Sequence, residues 1–523
     1  MKAIIYIGFC LGIFLLAGCF EDKGNYNYDD LGIVPQWLVE SDGTPIQVSG
    51  REGEFIEFRV QGEYFTFGQD SIPALDEFRY EWELNGTVFS RECDFDMLTD
   101  SIMKITKQEK YEEVTGALRL INTKTGATYV MRLIINFSAK YTARDVLVLS
   151  ENGNNSRCSY LRLKSRQEDG KTVYYFDMEQ NAFENQNGYV IPGKARRLIT
   201  AKSPQISSSL GANIIVTDQV SYVINNESIR LATELKNEFL DGEPENFSVV
   251  DVVEWGRYTF IATEDGRLFK RQMSENFLSG KFLTEPYYVD NKGYRVTRFG
   301  HSAFDVSRIL FLDELNRRIL ALMIDVDMFG KSNASVRPLL EGDGNMPVAL
   351  WNLPQDIEVL YICQSSQLYD SMDGFVIYFV QNGVTYRYKF QFDSSTMKIM
   401  QGGKLEALPV NFDRETVFLV ATSAWYAEDA LDYLVYSKGN ELRYLNYNTK
   451  EEGLLATLDA TITSLAYETY SYQGIFVGCA NGDVREYRVN WGTLDASLRA
   501  SVNVGGKVIM AHETGAPDLE EAY

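Results

Sequence analysis

From about Gln36 to Tyr141 the chain alternates apolar and polar side chains in short runs, the period-two pattern of strands with one buried face. Ile56, Phe58 and Val60 share one face against Glu57 and Arg59, and Tyr80, Trp82 and Leu84 share another against Glu81 and Glu83. Met131, Leu133, Ile135 and Phe137 make a third face, beside a turn at Lys124-Thr125-Gly126. About seven strands around one central tryptophan predict an immunoglobulin-like β-sandwich over residues 36–140, with Trp82 in its core. No cysteine pair flanks Trp82, which argues against an antibody-type domain.

After Tyr141 the pattern changes to repeated hairpins: an apolar strand, a Gly-containing polar turn, and a second strand mixing apolar and basic residues. The run from Phe260 to Phe269 has this form, and so does the run from Phe476 to Arg485. Further copies surround Gln381-Asn382-Gly383 and Lys438-Gly439-Asn440, with weaker ones at Asn152-Gly153, Thr217-Asp218-Gln219 and Glu314-Leu315-Asn316. Asn-Gly and Asp-Gly pairs suit hairpin turns because those turns need positive φ. The seven hairpins recur at roughly 45–65 residues, the period of propeller blades. Residues 146–149, 214–216, 309–312 and 418–421 are apolar without alternation, as strands covered on both faces should be. Together these features predict a β-propeller over residues 141–512, seven-bladed, with eight blades as the alternative count and stacked β-sandwiches as the rival architecture. One segment departs from strand character: Leu231, Leu235 and Phe239 predict a short helix within residues 228–240. Residues 513–523 read as a flexible acidic tail.

Composition agrees with an all-β fold and narrows the function. Aromatic residues make up 13% of the 523 residues, 32 Tyr and 30 Phe among them, and aromatics favour strands. The formal charge of -23 repels phosphate backbones, which disfavours nucleic acid as a partner. Cys93, Cys158, Cys363 and Cys479 lie too far apart in sequence for a zinc knuckle or a CxxC pair and are expected to be unpaired core residues.

The first residues predict a location. Residues 1–18 hold one lysine, an apolar run too short to span a bilayer, and small residues before Cys19, the layout of a signal peptide ending in the lipobox Leu16-Ala17-Gly18-Cys19. Cys19 is then the lipid anchor, carrying acyl chains such as palmitate. Each buried methylene adds roughly 0.8 kcal/mol, so two or more chains hold the protein stably to a membrane. Residues 19–35 form a Gly-, Asn- and Asp-rich tether, and Glu21-Asp22 resembles an acidic export tag for the outer face of the outer membrane.

Several of these stretches together resemble one family. Cys19 with Gly24-Asn25-Tyr26-Asn27-Tyr28, the Tyr80-Glu81-Trp82 strand, the Thr125-Gly126-Ala127-Thr128-Tyr129 turn and the run from Val146 to Glu151 are similar to the PKD-like family of bacterial surface lipoproteins. The resemblance implies a neighbourhood of Sus-type transporters and other surface lipoproteins as partners. It supplies no catalytic residues.

Candidate chemistry is sparse. The chain has two histidines, His301 and His512, and no HExxH pair. Gly300-His301-Ser302-Ala303-Phe304 approaches a nucleophile elbow but ends in Phe where Gly is needed. Asp94-Phe95-Asp96 and Asp325-Val326-Asp327 each place two acids on one strand face, and Asp343-Gly344-Asn345 resembles half a calcium loop without its later Glu. Solvated surface and a turn are the preferred readings, so no catalytic residue, metal site or cofactor is expected. Three Asp-Ser-Ile or Asp-Ser-Met triplets, at residues 70–72, 100–102 and 370–372, resemble an O-glycosylation acceptor. Ligand contact is easier to place: Trp255, Trp351, Trp425 and Tyr426 stand outside strand centres, where loops of several blades meet. The expected function is non-catalytic capture of a glycan or peptide by an outer-membrane surface lipoprotein facing the cell exterior. The alternatives are a surface glycosidase or lyase built on the propeller, and a purely structural envelope interaction protein.

Overall fold

The computed structural model describes residues 34–38, 45–60, 63–67, 77–142, 144–206, 211–255, 257–273, 278–301, 309–326, 332–365, 374–421, 428–469 and 471–514. The chain divides into two compact units, residues 1–140 and 141–523. Both are built from β-strands, and no helix among the described residues is long and apolar enough to cross a membrane.

In the first unit a five-stranded sheet runs in the order Ile46–Arg51, Thr128–Ser138, Glu113–Asn122, Phe78–Leu84, Thr87–Ser90. Ile46–Arg51 lies parallel to Thr128–Ser138, and the other pairs are antiparallel. Phe55–Phe58 pairs separately with Phe95–Leu98. The alternation read from the sequence is realised: Ile56, Phe58, Tyr80, Trp82, Leu84, Leu133 and Phe137 meet in one core. Trp82 is fully buried, its ring edge-on to Phe58 at 4.9 Å, and its indole N–H donates to the Glu92 carbonyl at 2.8 Å. The short helix α1 (Thr99–Thr106) has no counterpart in the sequence expectations. Its buried Thr99 donates to the Glu54 carbonyl at 2.8 Å, and Ile102 completes the core.

The second unit contains seven sheets among the described residues, each mostly an antiparallel meander. The first holds Val146–Asn152, Asn155–Glu168 and Lys171–Glu179, and the second runs from Ala195–Ala201 to Leu231–Glu234. The third has three strands, from Val249–Trp255 to Leu268–Gln272. The fourth to seventh have four each and lead with Val296–Phe299, Ile357–Ser365, Phe418–Val420 and Ile462–Glu468. All seven anticipated turns lie between antiparallel neighbours. Second-position strands such as Ala212–Thr217 and Tyr258–Thr263 are buried at every residue, which explains their lack of alternation.

The last described strand, Val508–Glu513, pairs not with its chain neighbours but with Val146–Asn152 of the first sheet. It also touches the leading strands of the second and seventh sheets. Hydrophobic clusters join each sheet to the next in sequence, and a further one joins Val146, Val148 and Leu161 of the first to Phe476, Val484 and Ala500 of the seventh.

The expected helix at residues 228–240 is corrected. Leu231–Glu234 is a strand paired with Ser221–Asn225, followed by a single 3-10 turn, Leu235–Glu238. The open edge of the second sheet recruits the segment, while Leu235 and Phe239 still reach the core at helical spacing. The four cysteines among the described residues are free; Cys158, Cys363 and Cys479 are buried and Cys93 is half-buried.

Candidate functional site

The second unit carries a polar cluster drawn from five of its sheets, most of it on or just after their leading strands. The Asp251 carboxylate lies 2.8 and 3.0 Å from His301 Nε2 and accepts the Phe299 backbone N–H at 3.1 Å. Arg197 Nε stands 3.4 Å from the same carboxylate. The Tyr361 hydroxyl donates to the His301 carbonyl at 3.0 Å, tying the fifth sheet to the fourth. His512 Nε2, on Val508–Glu513, is 3.3 Å from Asn213 Oδ1, which also accepts from the Thr200 hydroxyl at 3.0 Å. The fold thus brings the two distant histidines of the chain within the electrostatic reach of one arginine.

Charges in the cluster are set by burial and by Arg197. Burial pushes the Asp251 carboxyl up, but His301 and Arg197 together with the Phe299 N–H outweigh it and hold it below its ordinary value. Burial lowers His301, and Arg197 lowers it further against the pull of Asp251. His512 falls to about 4 through burial and then Arg197. Near neutral pH the cluster therefore offers one guanidinium, one carboxylate and two neutral imidazoles. Arg197 keeps a side-chain exposure of 26%, and its buried Nε has no hydrogen-bond partner among the described residues.

Among the described residues the His301 ring nitrogen Nε2 contacts the Asp251 carboxylate, and no hydroxyl or thiol is hydrogen-bonded to the imidazole. Burial raises the thiols: Cys93 to about 12, Cys479 to about 11, and Cys158 and Cys363 strongly upward. Glu254 is pushed up to about 7 by burial, but it accepts the Lys202 N–H, beside the buried Arg271–Glu238 ion pair. Among the described residues no group of three His, Cys, Asp or Glu side chains is placed to hold a metal ion.

The residues singled out from the sequence are scattered. Trp255 ends the leading strand of the third sheet, four residues after Asp251. Trp351 is half-buried against the core shared by the fourth and fifth sheets. Trp425, Tyr426 and Cys19 lie outside the described residues, as do the triplets at 70–72 and 370–372. Asp100-Ser101-Ile102 sits in α1. Asp96 is bound by Arg59 and Asp94 accepts the Val60 N–H at 2.7 Å, so that acidic pair serves the fold. Asp343 is exposed and pairs with Lys398 at 3.3 Å, beside Gly344 at φ +91°. The sequence missed Arg197, Asp251, Asn213 and Tyr361. Their one local signal is a charged or polar residue inside an apolar strand, the leading one for Arg197, Asp251 and Tyr361 and the second for Asn213.

Comparison with known proteins gives one family match: residues 19–195 match the PKD-like family. No curated protein matches the chain. Among solved structures, apo AztD from Citrobacter koseri is 10% identical over 84% of this chain and 99% of that one, with a TM-score of 0.35. U3-55K is 10% identical over 63% and 90%, with a TM-score of 0.38, and the computationally designed Ika8 protein 12% over 72% and 95%, with a TM-score of 0.36.

Proposed function

We propose that this chain is a lipid-anchored bacterial surface protein whose seven sheets close into a seven-bladed propeller that captures a glycan or peptide without transforming it. Cys19 is the anchor, the outer membrane the location, and a Sus-type transporter with its companion lipoproteins the partners. The pairing of Val508–Glu513 with the first sheet supports the ring, since it lets the chain end complete the blade that begins the unit. The reading of capture rests on Arg197: a guanidinium a quarter exposed on a leading strand, ion-paired through Nε with Asp251 and close to two neutral imidazoles. Such a group with adjacent donors and acceptors suits recognition of a hydroxyl- or amide-rich ligand.

The test is calorimetric titration of glycan and peptide panels into the full-length protein in detergent, with Arg197→Gln as the variant. Binding weakened about tenfold by the variant, or about 1.4 kcal/mol, is the expected result. The Asp251–His301 pair is the one observation that favours the enzyme reading, and turnover lost in Asp251→Asn would establish it. Absence of binding across the panels, with retention on a transporter complex, would leave a structural role. Radiolabelled palmitate incorporated by the native chain and not by Cys19→Ala tests the anchor separately.

A further inference from the structure

We propose a second binding site, built from other residues than the leading-strand cluster and independent of the capture reading: a basic side-chain cluster on the fifth sheet, joined by Lys450 of the sixth, that takes a small oxyanion of the phosphate, sulfate or carboxylate class. Four cations meet there around one carboxylate. Lys389 and Lys404 stand directly opposite each other in adjacent antiparallel strands, and like charges in that position repel. Arg387, two residues before Lys389 and so on the same face, stands opposite Glu406. From the sixth sheet, the turn after Glu441–Asn446 adds Lys450.

Glu406 cannot neutralise all four. It lies 2.7 Å from Lys404 Nζ, 3.1 Å from Lys450 Nζ, and only 3.5 Å from Arg387 Nη1. Arg387 is 9% exposed, its guanidinium carbon stacks 3.5 Å from the Tyr447 ring centroid, and its buried Nε has no hydrogen-bond partner among the described residues. Lys389 is half-buried and makes no ion pair or hydrogen bond among the described residues. Burial, then Arg387 and Lys404, lower its pKa to about 8, with Glu406 opposing. The other groups against Arg387 are the Tyr378 and Tyr447 hydroxyls, bonded to each other, and the buried Cys363 thiol, all neutral at pH 7.

A half-buried cluster with three cations in excess is costly to hold in a chain that is otherwise strongly acidic, at -23 overall. A bound oxyanion supplies the missing charge and acceptors together. Side-chain exposure falls from 74% at Lys404 through 36% at Lys450 to 9% at Arg387, so the cluster runs from an exposed ammonium to a buried guanidinium. The negative whole-molecule field works against long polyanions and leaves a single anionic group as the fitting occupant.

The experiment uses the full-length protein in detergent, titrated with sodium phosphate, sulfate or acetate against sodium chloride at matched ionic strength, and read by thermal unfolding and calorimetry. A saturable rise in melting temperature with at least one oxyanion is expected, with affinity reduced at least tenfold in Lys389→Gln and in Lys404→Gln and unchanged in Arg197→Gln. Lys404 is exposed, so its variant keeps the test open if Lys389→Gln fails to fold. The preferred anion identifies a phosphorylated, sulfated or carboxylate-bearing source. No saturable response to any of the three, or an equal response in both lysine variants, would overturn the site, whatever the capture experiment shows.

Discussion

At the scale of single residues, Asp251 is the one carboxylate among the described residues that faces His301, while Arg197 repels a proton from the same imidazole. Removing the carboxylate leaves only the repulsion and the burial. Asp251→Asn is therefore expected to lower the His301 pKa further, and NMR titration of the imidazole protons reads it; a rise would mean that Asp251 does not stabilise the protonated imidazole. Glu513 gives a pH effect on stability. Burial raises its carboxyl from 4.5 to about 7, so between those values the native chain keeps a proton that the unfolded chain releases. Its stabilising contribution is complete below about pH 4.5 and is lost as pH rises to about 7, on the order of 3 kcal/mol. Glu513→Gln should thus gain stability relative to the native chain across that window in denaturant titrations, and a constant difference would show that Glu513 titrates normally. His512 has the opposite sign: its depressed pKa removes stability as pH falls from about 6.5 to about 4. Alternation made Trp82 legible as a core residue. The convergence of Arg197, Asp251, His301 and His512 was not legible, because each belongs to a different sheet, His301 just beyond its strand, and only the topology brings them together.

At the scale of elements, turn chemistry was the most readable feature. Asn382-Gly383 and Gly482 take positive φ in hairpins, as their residue types require. The segment 228–240 was misread because helical spacing and an unfilled sheet edge compete, and three hydrophobic residues cannot decide between them; the strand pairing with Ser221–Asn225 does. The helix α1 escaped notice because eight residues carry too little periodicity. The pairing of Val508–Glu513 with Val146–Asn152 was equally hidden, since it joins strands at opposite ends of the unit. It depends on Gly506, which has φ +72° and where a Cβ would lie 1.7 Å from the Glu151 carbonyl oxygen. That oxygen is backbone and cannot swing aside. Gly506→Ala is expected to detach the strand's entry and to cost roughly 2–4 kcal/mol or more. Hydrogen exchange should then show lost protection at the amides of residues 146–150 and 508–513; unchanged protection would mean the strand is held by its side chains alone.

At the scale of the whole molecule, the two units each have a complete hydrophobic core, one formed by residues 46–137 and the other by the chain of clusters linking seven sheets. A unit with its own core is expected to unfold in its own transition. Trp82 tests this because it is the largest fully buried side chain of the first unit and touches the rings of Phe58, Phe89 and Phe95, taken from both of its main sheets. Trp82→Ala removes that packing, strands the Glu92 carbonyl and opens a cavity, a loss of about 3–5 kcal/mol. For a unit of this size each kcal/mol moves the midpoint by about 4–8 °C, so the first unit should melt well below its native temperature. The second unit keeps every contact of its own core and should melt where it did. Scanning calorimetry of the full-length variant is the measurement: one transition displaced and one unmoved supports two independent cores, whereas a common shift of both would require the units to unfold as one.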